Sequence, residues 1–149
     1  MSTMLLIDDD SFVRRMLVQL FGQTHECHTA DRAEQALEFL ELEQYDVVVT
    51  DISMPGLGGV EILKRIKQQH SNTPVIVISG KMGEHQQSLI EMGAFAYLAK
   101  PFQLDEIEAA VNRAIAHHQQ PQPVKNFSSN QSGTVNLTQE ETELATQTR

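Results

Sequence analysis

Residues 4–10, Met4-Leu5-Leu6-Ile7-Asp8-Asp9-Asp10, decide the fold. A short, continuous apolar run that stops at acids suits a strand covered on both faces, which is how strands of parallel sheets read. The same kind of run recurs at Val47-Val48-Val49, at Val75-Ile76-Val77-Ile78 and at Phe95-Ala96-Tyr97-Leu98, with Cys27-His28-Thr29-Ala30 a weaker fifth.

The segments between these runs carry a helical period. Phe12, Met16, Leu20 and Val13, Leu17, Phe21 form adjacent i, i+4 rows, and Ala33, Ala36, Leu37, Leu40 make a second stripe. Val60, Leu63, Ile66 continue the pattern, followed by Leu89, Ile90 near Met92 and by Leu104, Ile107, Val111, Ala114, Ile115. Asp10 is placed to cap the first helix, and Asp31 with Glu34 reads as a capping box at the second. Gly22 and Gly93 fit helix ends. The order is strand then helix, five times, which predicts an α/β fold: a doubly wound parallel sheet with right-handed crossovers and helices on both faces. The five units share no residue pattern, so they are not sequence repeats.

The 149 residues suit one domain with a real core. A net charge of −9 speaks against nucleic acid and anionic membrane as direct ligands, because both need a basic surface. A single cysteine, Cys27, permits no intramolecular disulfide. No apolar run approaches a bilayer span, and the expectation is a cytoplasmic protein. From about His117 the chain turns polar and rich in proline, serine and asparagine, and the division expected is a folded domain at 1–118 and a flexible tail or linker at 119–149. Within the tail, 137–145 could form one short helix, marginal alone.

Carboxyl ends of parallel strands share one rim, the crevice where open α/β sheets bind ligands. Asp8, Asp9 and Asp51 therefore converge there, joined by Ser79 and Lys100. Clustered carboxylates repel one another unless compensated, and a hard divalent cation with oxygen ligands is the natural compensator.

At these positions the chain resembles the receiver domain of bacterial two-component response regulators. The matching pieces are Leu5-Leu6-Ile7-Asp8-Asp9-Asp10, Val49-Thr50-Asp51-Ile52-Ser53-Met54-Pro55-Gly56, Pro74-Val75-Ile76-Val77-Ile78-Ser79-Gly80 and Tyr97-Leu98-Ala99-Lys100-Pro101-Phe102. The resemblance spans essentially residues 3 to 118 and implies a five-stranded flavodoxin-like sheet in the order 2-1-3-4-5. It implies that Asp51 takes a phosphoryl group from a phosphohistidine. The Mg²⁺, or Mn²⁺ in its place, would be held by Asp8, Asp9, Asp51 and the backbone carbonyl of Ser53. Ser79 would bond the phosphoryl oxygen, and Lys100 would pair first with the acids and then with the phosphoryl group. Tyr97 would turn inward as Ser79 moves, changing the face formed by the fourth helix, fifth strand and fifth helix, and Gly80 would leave room for that movement. Lys100-Pro101 is a cis candidate. Ser53 and Lys81 are expected to tune phosphoryl lifetime. The partners implied are a histidine kinase or phosphotransfer protein and a downstream effector protein, with a homodimer through that same face as an option. No enzyme activity beyond self-phosphorylation and self-dephosphorylation is expected.

Plain readings stand beside these. Arg14 and Arg15 read as a solvated face; His70, His85, His117 and His118 read as surface residues without metal spacing. Cys27 reads as a small packed residue, and a metal role with His25 or His28 has no second cysteine or ligand spacing behind it. Besides a receiver cut from a longer multidomain regulator or hybrid kinase, two other functions stand as alternatives. A haloacid-dehalogenase-type phosphatase would carry a second aspartate two residues after its nucleophile, where this chain has Ser53. An FMN binder would need a Ser/Thr-rich loop after the first strand, where acids stand instead.

Overall fold

The computed structural model describes residues 1–119 except Pro55, Leu57, Ser71 and 81–85. The expected short helix at 137–145, Lys81 and His85 lie outside the described residues. Five strands and five helices alternate: β1 (Ser2–Ile7), α1 (Ser11–Phe21), β2 (His25–Ala30), α2 (Ala33–Leu42), β3 (Val47–Asp51), α3 (Gly59–Gln69), β4 (Val75–Ser79), α4 (Gln86–Glu91), β5 (Ala96–Ala99) and α5 (Leu104–Gln119). All pairings are parallel, in the order β2-β1-β3-β4-β5. The doubly wound order expected from the sequence is the order found.

Alternate side chains of each strand serve opposite layers, so the sheet has a core on each face. Leu5, Ile7, Val48, Val75 and Val77 pack with Ala33, Ala36 and Leu40 of α2, Ile62, Leu63 and Ile66 of α3, and Leu89 of α4. Met4, Leu6, Val47, Val49, Ile76 and Ile78 pack with Leu17 and Phe21 of α1 and with Ile107, Val111 and Ala114 of α5. Every residue of β3 and β4 is buried, which is why those two strands read as unbroken apolar runs. The two edge strands are only partly covered. Edge exposure explains why β2 was the weakest strand in the sequence.

Helix ends show where local signals held and where they did not. Asp10 caps α1, its carboxylate accepting from the Phe12 N–H at 2.9 Å. The capping box at α2 is not formed: the helix begins after Arg32, whose side chain makes no cap bond. Gln35 takes that place by accepting from the Asp31 N–H at 3.1 Å, while the Asp31 carboxylate turns to Arg32 at 2.9 Å. The arginine competes successfully because a charged donor outbids a backbone amide for a carboxylate. Gly93 follows α4 with φ +105°, a left-handed conformation that favours glycine. Gly22 ends α1 in ordinary right-handed geometry, its N–H bonded to the Val18 carbonyl.

Of the two apolar rows on α1, Val13, Leu17, Phe21 turns inward, and Met16 and Leu20 of the other row pack against the same core at its margin. Phe12 is 65 % exposed although it opens the other row. Two adjacent rows make a stripe wider than the sheet surface beneath a short helix. Among the described residues no helix is long and apolar enough to cross a membrane.

Candidate functional site

The rim formed by the ends of β1, β3, β4 and β5 gathers the residues singled out above. Asp8 follows β1 at 1 % exposure and Asp51 ends β3 at 4 %, while Asp9 is exposed. Backbone bonds continue past the strands and hold these positions: the Asp8 N–H reaches the Ala30 carbonyl and the Ile52 N–H reaches the Ile78 carbonyl. One carboxylate oxygen from each of Asp8, Asp9 and Asp51 lies within 4.8 Å of the other two.

Lys100 arrives at this cluster from 92 residues away in the chain. Its ammonium stands 3.0 Å from Asp8 Oδ2 and 3.5 Å from Asp51 Oδ2. The Lys100 N–H is tied to the Ser79 carbonyl at 2.7 Å, and the peptide bond to Pro101 is cis, as expected. Burial pulls the Lys100 pKa down, but the hydrogen bond and charge of Asp8 and the charge of Asp51 together outweigh it, so its pKa rises. At Asp51 burial dominates and Asp8 adds to it; these exceed the relief from the Ser53 N–H and Lys100, and the carboxyl is held above the usual aspartate range. One lysine does not neutralise three carboxylates.

That residual repulsion, an all-oxygen donor set and one exposed carboxylate fit a hard divalent cation such as Mg²⁺. Asp8, Asp9 and Asp51 are the side chains that would hold it. Ser53 sits beside them, exposed, its N–H 3.2 Å from Asp51 Oδ1.

Ser79 is buried at the end of β4, one residue beyond the Ile78 that pairs with Asp51. Tyr97 lies in β5 opposite Val77, half-buried against the core on the α2, α3 and α4 side. Gly59 explains the backbone path after Asp51: a Cβ there would collide with the Asp51 carbonyl, so only glycine lets α3 start so close to the strand end. At Gly80, by contrast, a Cβ would meet nothing within 4 Å, so the room around it does not depend on its being glycine.

Two residues depart from their sequence reading, Arg14 and His118. Arg14 is half-buried rather than solvated and donates to the Asp8 carbonyl at 2.8 Å, tying α1 to the acid-bearing strand end. Its position on the inward edge of α1, three residues before Leu17, was the available signal. His118 pairs with the Asn72 carbonyl at 2.9 Å and lies 3.6 Å from Asp46. His117 is exposed, as its sequence reading had it, and packs on the Phe95 ring.

Comparison with known proteins agrees with this geometry. Residues 4–112 match the family described as response regulator receiver domain. The chain is 40% identical over 127 residues to the DNA-binding transcriptional regulator NtrC of Escherichia coli K12, an alignment covering 84% of this chain and 27% of that protein. It thus spans about a quarter of the length of that relative. It is 37% identical over 112 residues to sporulation initiation phosphotransferase F of Bacillus subtilis, covering 73% of this chain and 90% of that one. Among solved structures, the response regulator protein TrrA of Thermotoga maritima in complex with Mg²⁺-BeF superposes with a TM-score of 0.70 at 29% identity, covering 76% of this chain and 99% of that one.

Proposed function

Since the chain belongs to the response regulator receiver family and is a receiver domain of a two-component system, we propose that Asp51 is its phosphoacceptor. The observation that carries this is the placement of Asp51: a nearly buried carboxylate whose oxygen lies 3.5 Å from an ammonium already engaged by Asp8. An Asp51 oxygen attacks the phosphorus of a phosphohistidine, the P–N bond breaks, and the imidazole leaves with a proton from solvent. Bound by Asp8, Asp9 and Asp51, with the Ser53 carbonyl completing the protein's side, Mg²⁺ or Mn²⁺ would supply neutralisation of the charge on the transferring oxygens. The TrrA complex supports this choice of ion by family likeness.

Lys100 is the group that changes partners. It bridges Asp8 and Asp51 before transfer and pairs with the new phosphoryl oxygens afterwards, because a dianion outcompetes a carboxylate for one ammonium. The Ser79 hydroxyl donates to the same group from the end of β4. Tyr97 and the α4-β5-α5 face follow, so the modification biases a two-state element. Chemistry is confined to the protein's own carboxylate, with no turnover of a free substrate. A cytoplasmic histidine kinase or phosphotransfer protein supplies the phosphoryl group, and an effector protein, or a second copy through the α4-β5-α5 face, reads it. Likeness to NtrC over only part of that protein's length also fits a receiver carried within a longer regulator.

Incubation with Mg²⁺ and acetyl phosphate should add the mass of one phosphoryl group to the wild-type chain. In Asp51→Asn labelling should fall to background, and undiminished labelling of that variant would reject Asp51 as acceptor.

A further inference from the structure

A second group of ligating side chains lies outside the acid pocket, where β2 meets the end of α2. Glu26 and His28 stand two apart on β2 and so share one face of the edge strand. Glu43 closes α2 as its C-terminal cap. One ligand atom from each of Glu26, His28 and Glu43 lies within 4.8 Å of the others. We propose that Glu26, His28 and Glu43 form a binding site for a borderline transition-metal cation of the Zn²⁺ class, distinct from the Asp8-Asp9-Asp51 pocket.

The imidazole is already positioned for this. His28 Nε2 faces Glu26 Oε2 at 2.8 Å, while Nδ1 meets the Tyr45 hydroxyl at 2.7 Å. Metal-ligating histidines are oriented in this manner, through a hydrogen bond at the nitrogen that does not bind the metal. Phe39 flanks the ring at 5.7 Å and Tyr45 meets it edge-on at 5.4 Å, so the ring has little freedom to turn. Tyr45 itself is 2 % exposed and anchored in the core.

Electrostatics agree with the geometry. Glu26 and Glu43 each bring a carboxylate oxygen to within 4.8 Å of a His28 ring nitrogen. The two glutamates therefore place a negative potential where a cation would sit. Around a tetrahedral zinc, with bonds of about 2.0–2.2 Å, ligand atoms stand roughly 3.3 Å apart. The three ligand atoms, already within 4.8 Å of one another, would have to close by up to about 1.5 Å to reach that spacing, with a water as the fourth ligand. In the metal-bound site Nε2 would carry no proton and ligate the cation, while Nδ1–H would donate to the Tyr45 oxygen. An imidazole nitrogen with two carboxylates suits Zn²⁺, Cu²⁺ or Ni²⁺ and is a poor match for Mg²⁺, which prefers oxygen and retained waters. Donor chemistry thus keeps the two sites apart.

The test is titration of the full chain with Zn²⁺ in excess Mg²⁺, read by the ring resonances of His28 in NMR spectra and by calorimetry. The expected result is a shift of the His28 ring resonances that is complete at one equivalent. Zn²⁺ affinity should drop at least tenfold in His28→Gln. It should fall about tenfold in Tyr45→Phe, the usual scale for loss of an orienting partner. Glu43→Gln lies at a half-buried helix end, folds regardless of metal, and should also weaken binding about tenfold. His28 resonances that stay in place through several equivalents would overturn the proposal, as would wild-type affinity in both His28→Gln and Glu43→Gln.

Discussion

Among the described residues two ligand clusters stand apart, the all-carboxylate Asp8-Asp9-Asp51 at the rim and Glu26-His28-Glu43 at the sheet edge, and they differ in burial and in what organises them. The rim cluster is made of strand ends, is mostly buried, and is bridged by a lysine from the far end of the domain. The edge cluster is made of one strand face and one helix end, is half-exposed, and is organised by aromatic rings around a histidine. Burial makes the rim costly to leave uncompensated, whereas solvent relieves the edge. A strained acid pocket is therefore a switch that ligands and covalent charge can throw, and a relaxed one is at most a docking point for a cation.

Removing compensation should expose this contrast. The largest effect is expected from Mg²⁺: at one hundred times its Kd a ligand of the folded state alone adds about 2.7 kcal/mol. Thermal melts with and without Mg²⁺ should show that gain in the wild type and its near-complete loss in Asp9→Asn, whose exposed side chain is not needed for packing. Next comes Lys100→Met without metal. Breaking a buried ion pair costs about 3–5 kcal/mol, and with the lysine side chain 27% exposed, solvent screening trims this to ~2 kcal/mol. Denaturant titration would measure it, and a loss below 0.5 kcal/mol, the usual scale of a surface substitution, would mean the rim is as relaxed as the edge.

The pH dependence of the rim has a definite sign. The folded pKa of Asp51 is raised, so its contribution to stability is present in the protonated form, below the unfolded value, and lost as pH rises through the folded value. Each unit of that elevation is worth about 1.4 kcal/mol. Melts in chelator from pH 4 towards neutrality, the range above an ordinary aspartate pKa, should show a decline in the wild type that Asp51→Asn lacks. A parallel decline in both proteins would place the strain elsewhere. The smallest effect belongs to the edge: Glu43→Gln without transition metal should change stability by less than about 0.5 kcal/mol.

Much of the rim was legible before the fold was known. Asp8, Asp9, Asp51, Ser79 and Lys100 each follow an apolar run, and strand ends in a parallel sheet share one edge. The edge cluster was not legible in the same way. Glu26-x-His28 alternates as a strand face does, but Glu43 lies fifteen residues past His28, and β2 was too polar to be a confident strand. Arg14 is not legible either: a charged residue on an amphipathic helix is usually solvated, and only the closeness of α1 to the end of β1 gives it the Asp8 carbonyl.

The alternation of strand and helix, the two-sided burial of β3 and β4, and the kinds of side chain at each strand end are written in the residue order alone. Those follow from local periodicity and residue chemistry, which act over a few residues. Only the tertiary structure decided that Lys100 reaches Asp8 before Asp51, that Gln35 rather than Glu34 closes the start of α2, and that Phe12 stays in solvent. Such choices depend on competition among groups brought within a few ångströms by sheet register and helix crossover, and no pattern confined to neighbouring residues encodes which of them wins.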